Sequence, residues 1–372
     1  MAAAYRANVK QAVFYGKTRK YRSDLEAALD GSHIPTEVYD NLIRAVHEYL
    51  PQMHRYVELR RRLLRVETLH MYDLYVPMVE DDGQKISFEQ AKEMVLEGLA
   101  PMGSEYLELL KEGFSSRWID VYENQGKRSG AYSWGAYGTH PYVLLNYQEN
   151  LNSVFTLAHE MGHALHSWYS DQNQPYIYAG YRIFVAEVAS TCNEALLIRH
   201  LIGKAEDPGR KAYLINYFLE QFRTTLFRQT MFAEFEKITH GMAERGETLT
   251  ADRLCEIYYG LNREYFGETI CVDREIELEW ARIPHFYTPF YVYQYATGFS
   301  AAIALSERIL KEGDCAVAQY RDFLKGGSSG YPLDLLRTAG VDMEQKAPIE
   351  NALRIFTQYL DEMERLAGND EI

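Results

Sequence analysis

Residues 156–166 read Thr-Leu-Ala-His-Glu-Met-Gly-His-Ala-Leu-His, with histidines four positions apart at 159 and 163. On a helix that spacing puts both imidazoles on one face, where each offers a nitrogen to a single ion. Glu160 would then stand beside the ion, within reach of a bound water but not as a ligand. Two imidazoles and an adjacent carboxylate base are the donor set of a zinc hydrolase. The competing use of these residues is a buried helix whose histidines hydrogen-bond to neighbouring helices.

A catalytic zinc usually takes three protein ligands and leaves a fourth position to water. A metzincin would need glycine at 166 and histidine at 169, but the chain has His166 and Tyr169. The third ligand is therefore expected to be a carboxylate from a following helix. In Phe184-Val-Ala-Glu-Val-Ala-Ser-Thr-Cys-Asn-Glu194, Glu187 stands among apolar and small residues, where burial is expensive unless the group is paired or metal-bound. Glu194 lies seven residues further on the same face and fits a supporting role, or that of ligand in Glu187's stead. His166 is read as a satisfied polar residue and left out of the metal set. Gly162 disfavours a helix interior by roughly 1 kcal/mol relative to alanine. Close approach of another backbone or of substrate would account for it, as would simple packing.

The elements that must position these groups are mainly helical. Periodicity predicts helices over 23–30, 36–66 and 87–112, with Pro35 and Pro51 near helix starts and Gly98 and Pro101 interrupting the third. The Arg60-Arg61-Arg62 run is expected on a solvated face, paired with acidic neighbours. Between 117 and 147, β-prone runs separated by glycines predict one small sheet just before the motif helix. Helices are expected again over 150–170, 182–202, 209–241, 249–260, 291–312 and 348–367. The fold class is thus mainly α with a small sheet beside the active-site helix. Two parts are expected: 1–115, helical, and 116–372, carrying the metal site.

Composition narrows the function further. A chain of 372 residues with 47% hydrophobic and 25% charged residues has the make-up of a globular protein with a large core. The formal net charge of −14 leaves no basic footprint for nucleic acid and disfavours an anionic membrane surface. No stretch approaches eighteen uninterrupted apolar residues, and the N-terminus lacks the apolar core of a secretory signal. Cys192, Cys255, Cys271 and Cys315 are scattered without C-x-x-C pairing and read as reduced thiols of a cytoplasmic protein. Thirty tyrosines suit either a helical core or a wet cleft that holds peptide backbone.

Assembled, these residues resemble the zinc peptidase family of thimet oligopeptidase and oligoendopeptidase F, on the side of the oligoendopeptidase F branch. The likeness lies in His159-Glu-Met-Gly-His163-Ala-Leu-His, Phe184-Val-Ala-Glu187-Val-Ala-Ser-Thr, His54-Arg-Tyr-Val-Glu-Leu-Arg, His70-Met-Tyr-Asp-Leu-Tyr-Val-Pro, Gly130-Ala-Tyr-Ser, and His285-Phe-Tyr with Tyr291-Val-Tyr-Gln-Tyr-Ala-Thr-Gly298. The resemblance implies a gluzincin-type helical ellipsoid cut by a deep substrate channel that residues 1–115 help to line, with one zinc ion at its floor. It implies short peptides as substrates. It also gives roles to His285 and Tyr291, as hydrogen-bond donors to the oxyanion of the tetrahedral intermediate. Tyr287 and Tyr295 are implied at the substrate, and Tyr132 and Trp134 on an edge strand that pairs with peptide backbone. Members of the family usually carry on the order of 200 further residues ahead of this text. The leading expectation is a zinc endopeptidase with Glu160 as general base. The alternative is a helical peptide-binding zinc protein with little turnover because one channel wall is lacking; an exopeptidase is a third reading that the resemblance disfavours.

Overall fold

Side-chain caps mark where several helices begin. Ser23, Ser87, Asn150 and Thr250 each accept a hydrogen bond from the backbone N–H three residues on. Such caps satisfy donors that have no partner within the helix. The computed structural model describes residues 1–80 and 83–368. It forms two compact units, each made of segments distant in the chain: Met1–Glu80 with Ile215–Thr297 and Glu344–Ile372, and Asp81–Leu214 with Gly298–Met343. Residues 1–115 therefore contribute to both units. Among the described residues, no helix is long and apolar enough to cross a membrane.

The first unit is a helical assembly. Ala2–Thr18, Thr36–Glu48, Leu50–Leu63, Arg228–Glu244, Ala251–Phe266 and Ala347–Gly368 supply most of it. The expected helix over 36–66 is two helices, because Tyr49 leaves the helical path and Pro51 opens the second one in its first turn. The expected helix over 209–241 runs as Pro208–Gln221 and Arg228–Glu244 with a π-helical turn, Phe222–Phe227, between them. Arg60 corrects the expectation of a solvated basic face. It is 1% exposed and donates to the Val76 carbonyl at 2.6 Å and to Glu220 at 2.7 Å, while Arg61 pairs with Glu58 near the surface. Met53, Tyr56 and Arg60 share one helical row, and that row faces the core.

Glu236 is fully buried in this unit, and its Oε1 accepts the Phe290 N–H at 2.8 Å while Oε2 has no partner among the described residues. Phe290 holds a left-handed backbone, φ 56°. Burial, reinforced by the charge of Asp24, raises the Glu236 carboxyl well above its usual range, against the opposing pull of the Phe290 N–H. An acid whose folded value is raised keeps its proton in the native state, so stability declines as pH rises above the unfolded value. Glu236→Gln is expected to flatten the fall in Tm between pH 5 and 8. A parallel fall in both proteins, read by thermal denaturation, would refute this.

The second unit holds the sheet and the motif helix. Strands Ile119–Asp120, Tyr132–Trp134 and Tyr142–Leu144 lie within the expected 117–147, with Tyr142–Leu144 central and Tyr132–Trp134 at an edge. A second, two-residue pairing in the first unit, Leu69–His70 with Ile270–Cys271, was not expected. The motif helix, Leu151–Asn173, runs from the Asn150 cap to Gln174, and Pro175 follows. Beside it packs Ile183–Lys204, buried along most of its length.

Candidate metal centre

The sequence around 160 and 190 places two helices unusually close. A Cβ on Gly162 would lie 2.6 Å from Ser190 Cα and 2.8 Å from the Ala189 carbonyl oxygen. Backbone stands where a side chain would be, so the glycine is a requirement of the crossing. Asn193, fully buried, clamps the same crossing: its Nδ2–H donates to the Ala158 carbonyl at 3.0 Å, and its Oδ1 accepts from Tyr106 at 2.9 Å.

This crossing brings three donor atoms together. His159 Nε2 and His163 Nε2 are 3.2 Å apart, and Glu187 Oε2 lies 3.4 Å and 3.5 Å from them. Around a tetrahedral zinc with bonds of about 2.0–2.1 Å, neighbouring nitrogen and oxygen donors stand roughly 3.4 Å apart. The separations and the donor types both fit one zinc ion. Glu194 Oε2 sits 3.1 Å from His159 Nδ1, the other nitrogen of the ring. A carboxylate there fixes the ring's orientation and tautomer, leaving Nε2 for a metal.

The electrostatics agree with that geometry. Burial works against a charged His159, yet the carboxylates of Glu194 and Glu187 outweigh it and hold its proton well above the usual histidine range. For Glu187, burial is overcome by hydrogen bonds and charge from the two histidines, and its carboxyl lies well below the usual range. The pocket thus favours positive charge at its centre, whether proton or metal ion.

Glu160 is 7% exposed, and its buried Oε2 has no partner among the described residues. Burial raises its carboxyl above the ordinary value, with His159 and His163 pulling the other way. A desolvated carboxylate beside a cluster of metal-ligating groups is chemically able to take up a proton. His166, one turn beyond, is 1% exposed and stacked on Tyr181 at 3.7 Å. Burial pushes it down to about 3, so it is neutral packing.

The remaining expected residues fall in different places. In the first unit, His285, Tyr291 and Tyr295 form one ring cluster, with centroids 5.6–5.9 Å apart and Tyr295 Oη 3.5 Å from His285 Nε2. Tyr287 is turned away from them, its ring edge-on to Tyr5 and its carbonyl accepting from Asn8. In the second unit, Tyr132 and Trp134 are exposed on the edge strand, and the neighbouring Gly135 lies against Ser167 of the motif helix. Sequence reasoning missed Ser190 and Asn193. The available signal was polar residues recurring in the otherwise apolar row of Glu187.

Comparison with known proteins extends this picture over most of the chain. A family model described as peptidase family M3 matches residues 1–355. Oligopeptidase PepF of Bacillus subtilis is 56% identical over 366 residues, covering 98% of this chain and 55% of that protein. The chromosomal oligoendopeptidase F of Lactococcus lactis subsp. cremoris is 45% identical, covering 98% of this chain and 60% of its own length. The crystal structure of oligoendopeptidase-F from Enterococcus faecium superposes with a TM-score of 0.81 at 40% identity, over 99% of this chain and 60% of that one. The chain therefore spans between half and two thirds of the length of these relatives.

Proposed function

The chain belongs to peptidase family M3, and from that membership we propose that it is a zinc endopeptidase hydrolysing internal peptide bonds of short oligopeptides. The observation that carries the reading is the set of three donor atoms spaced 3.2–3.5 Å apart beside a buried, unshared carboxylate. His159, His163 and Glu187 would hold the ion, and Glu194 would orient His159. Zinc bound there supplies a Lewis acid for the scissile carbonyl and lowers the pKa of a water.

The chain's own residues do the proton work. Glu160 accepts the proton of the attacking water and passes it to the leaving amine nitrogen. For His285 and Tyr291 we keep the role that the family resemblance gives them, hydrogen-bond donors to the oxyanion. The exposed edge strand Tyr132–Trp134 offers unpaired backbone groups for an extended peptide to pair with. Four unpaired cysteines suit a reducing compartment, the cytoplasm.

The test is cleavage of an internally quenched fluorescent peptide with and without a chelator. Cleavage is expected to be lost on chelation and restored by added zinc. Cleavage that persists undiminished in chelator would overturn the reading. Peptide binding without chelator-sensitive cleavage would mark the chain as a zinc-holding peptide binder instead.

A further inference from the structure

Among the described residues, a second cluster of three metal-ligating side chains lies in the first unit: His70, Cys271 and Asp273. The parallel pairing of Leu69–His70 with Ile270–Cys271 places His70 opposite Cys271, and Asp273 follows two residues on. One ligand atom from each of the three lies within 4.8 Å of the others. We propose that this cluster is a second, surface transition-metal site for a zinc-class divalent ion, with solvent completing the coordination.

Three features support a built site. The ring of His70 is held from several sides: its Nδ1 lies 2.8 Å from Asp273 Oδ1, and its face stacks on Tyr72 at 5.0 Å. The backbone N–H of His70 donates to Asp73 at 2.8 Å, fixing the turn that presents the ring. Asp273 is held in turn: its Oδ2 accepts the Met71 N–H at 3.0 Å while Oδ1 faces the His70 ring. Finally, Cys271 is a free, exposed thiol on the same edge.

The donor types choose the ion. A thiolate with an imidazole selects zinc or cobalt over magnesium or calcium, which prefer oxygen alone. Donors around a tetrahedral zinc stand roughly 3.4–3.8 Å apart, so side-chain adjustment of about 1 Å or less closes the cluster. Binding replaces the proton on Cys271 Sγ with a metal–sulfur bond and releases that proton to solvent. The ion would also tie together two segments some 200 residues apart in sequence.

Cobalt separates this site from the catalytic one, because His159, His163 and Glu187 include no thiol. The full chain, stripped with chelator and titrated with Co²⁺, is expected to take up two equivalents. The thiolate-to-cobalt charge-transfer band should develop with only one of them. Cys271→Ser is expected to lose that band and one equivalent while keeping chelator-sensitive cleavage; Cys315→Ser should keep both equivalents and the band. Absence of the thiolate band, or a band that survives Cys271→Ser, would overturn the proposal. Neither result bears on the zinc at the motif helix.

Discussion

Glu160→Gln is expected to lower the rate of peptide cleavage by about 10²–10⁴-fold while leaving zinc bound. The reason lies in position. Glu160 is not one of the three closely spaced donors, so its loss leaves His159, His163 and Glu187 in place. Its carboxylate is desolvated, and one oxygen has no partner among the described residues, so it can accept a proton. Glutamine keeps the shape but has no oxygen basic enough for the task. Because a buried carboxylate is being neutralised, Tm should hold steady or rise. The measurement is kcat on a quenched peptide together with metal content. Full zinc with undiminished kcat would sink the assignment of the base.

Gly162→Ala acts on the site through the helix crossing. Helix propensity alone favours alanine by about 1 kcal/mol. Against that, the new methyl would overlap the backbone of Ser190 and Ala189, at 2.6 Å and 2.8 Å. Backbone of a packed helix cannot swing aside as a flexible side chain does, so the helices must part. Overpacking of this kind typically costs about 1–3 kcal/mol. Two of the three donors ride on one helix and the third on the other, so parting stretches the Glu187 separations of 3.4 Å and 3.5 Å. The expected result is a lower Tm and zinc affinity reduced by about ten-fold or more, as the same energy range implies. Competition against a chromophoric chelator reads the second quantity. Unchanged affinity with unchanged Tm would show that the crossing relaxes without consequence.

The parts of this molecule that were legible in the sequence are those fixed by local spacing. A four-residue interval on a helix determines where His159 and His163 point, and a seven-residue interval does the same for Glu187 and Glu194. Gly162 was half legible: its anomaly showed, but which backbone approaches it depends on a helix some thirty residues away. Asn193 and Arg60 were missed for a related reason. Polarity in an apolar row says that a partner exists, while only the fold supplies Ala158 and Tyr106 for one and Glu220 for the other. Ala2–Thr18, Asp314–Leu324 and Pro332–Thr338 went unread as helices. None begins with a side-chain cap, and packing against other segments decides their structure. The interleaving of the two units is wholly long-range, and no local pattern announces it.

That interleaving gives the chain an order of completion as it leaves the ribosome, N-terminus first. The residues from His159 to Glu194 emerge as one stretch, and the last segment of their unit ends at Met343. The other unit also draws on an earlier stretch, Met1–Glu80, yet it needs the helix Ala347–Gly368 to finish. Until those residues arrive, the ring of Tyr56 lacks Phe356, its eventual neighbour at 6.0 Å. While that segment is still unmade the unit carries uncovered apolar surface, and that interval is where a nascent-chain chaperone has the most to cover.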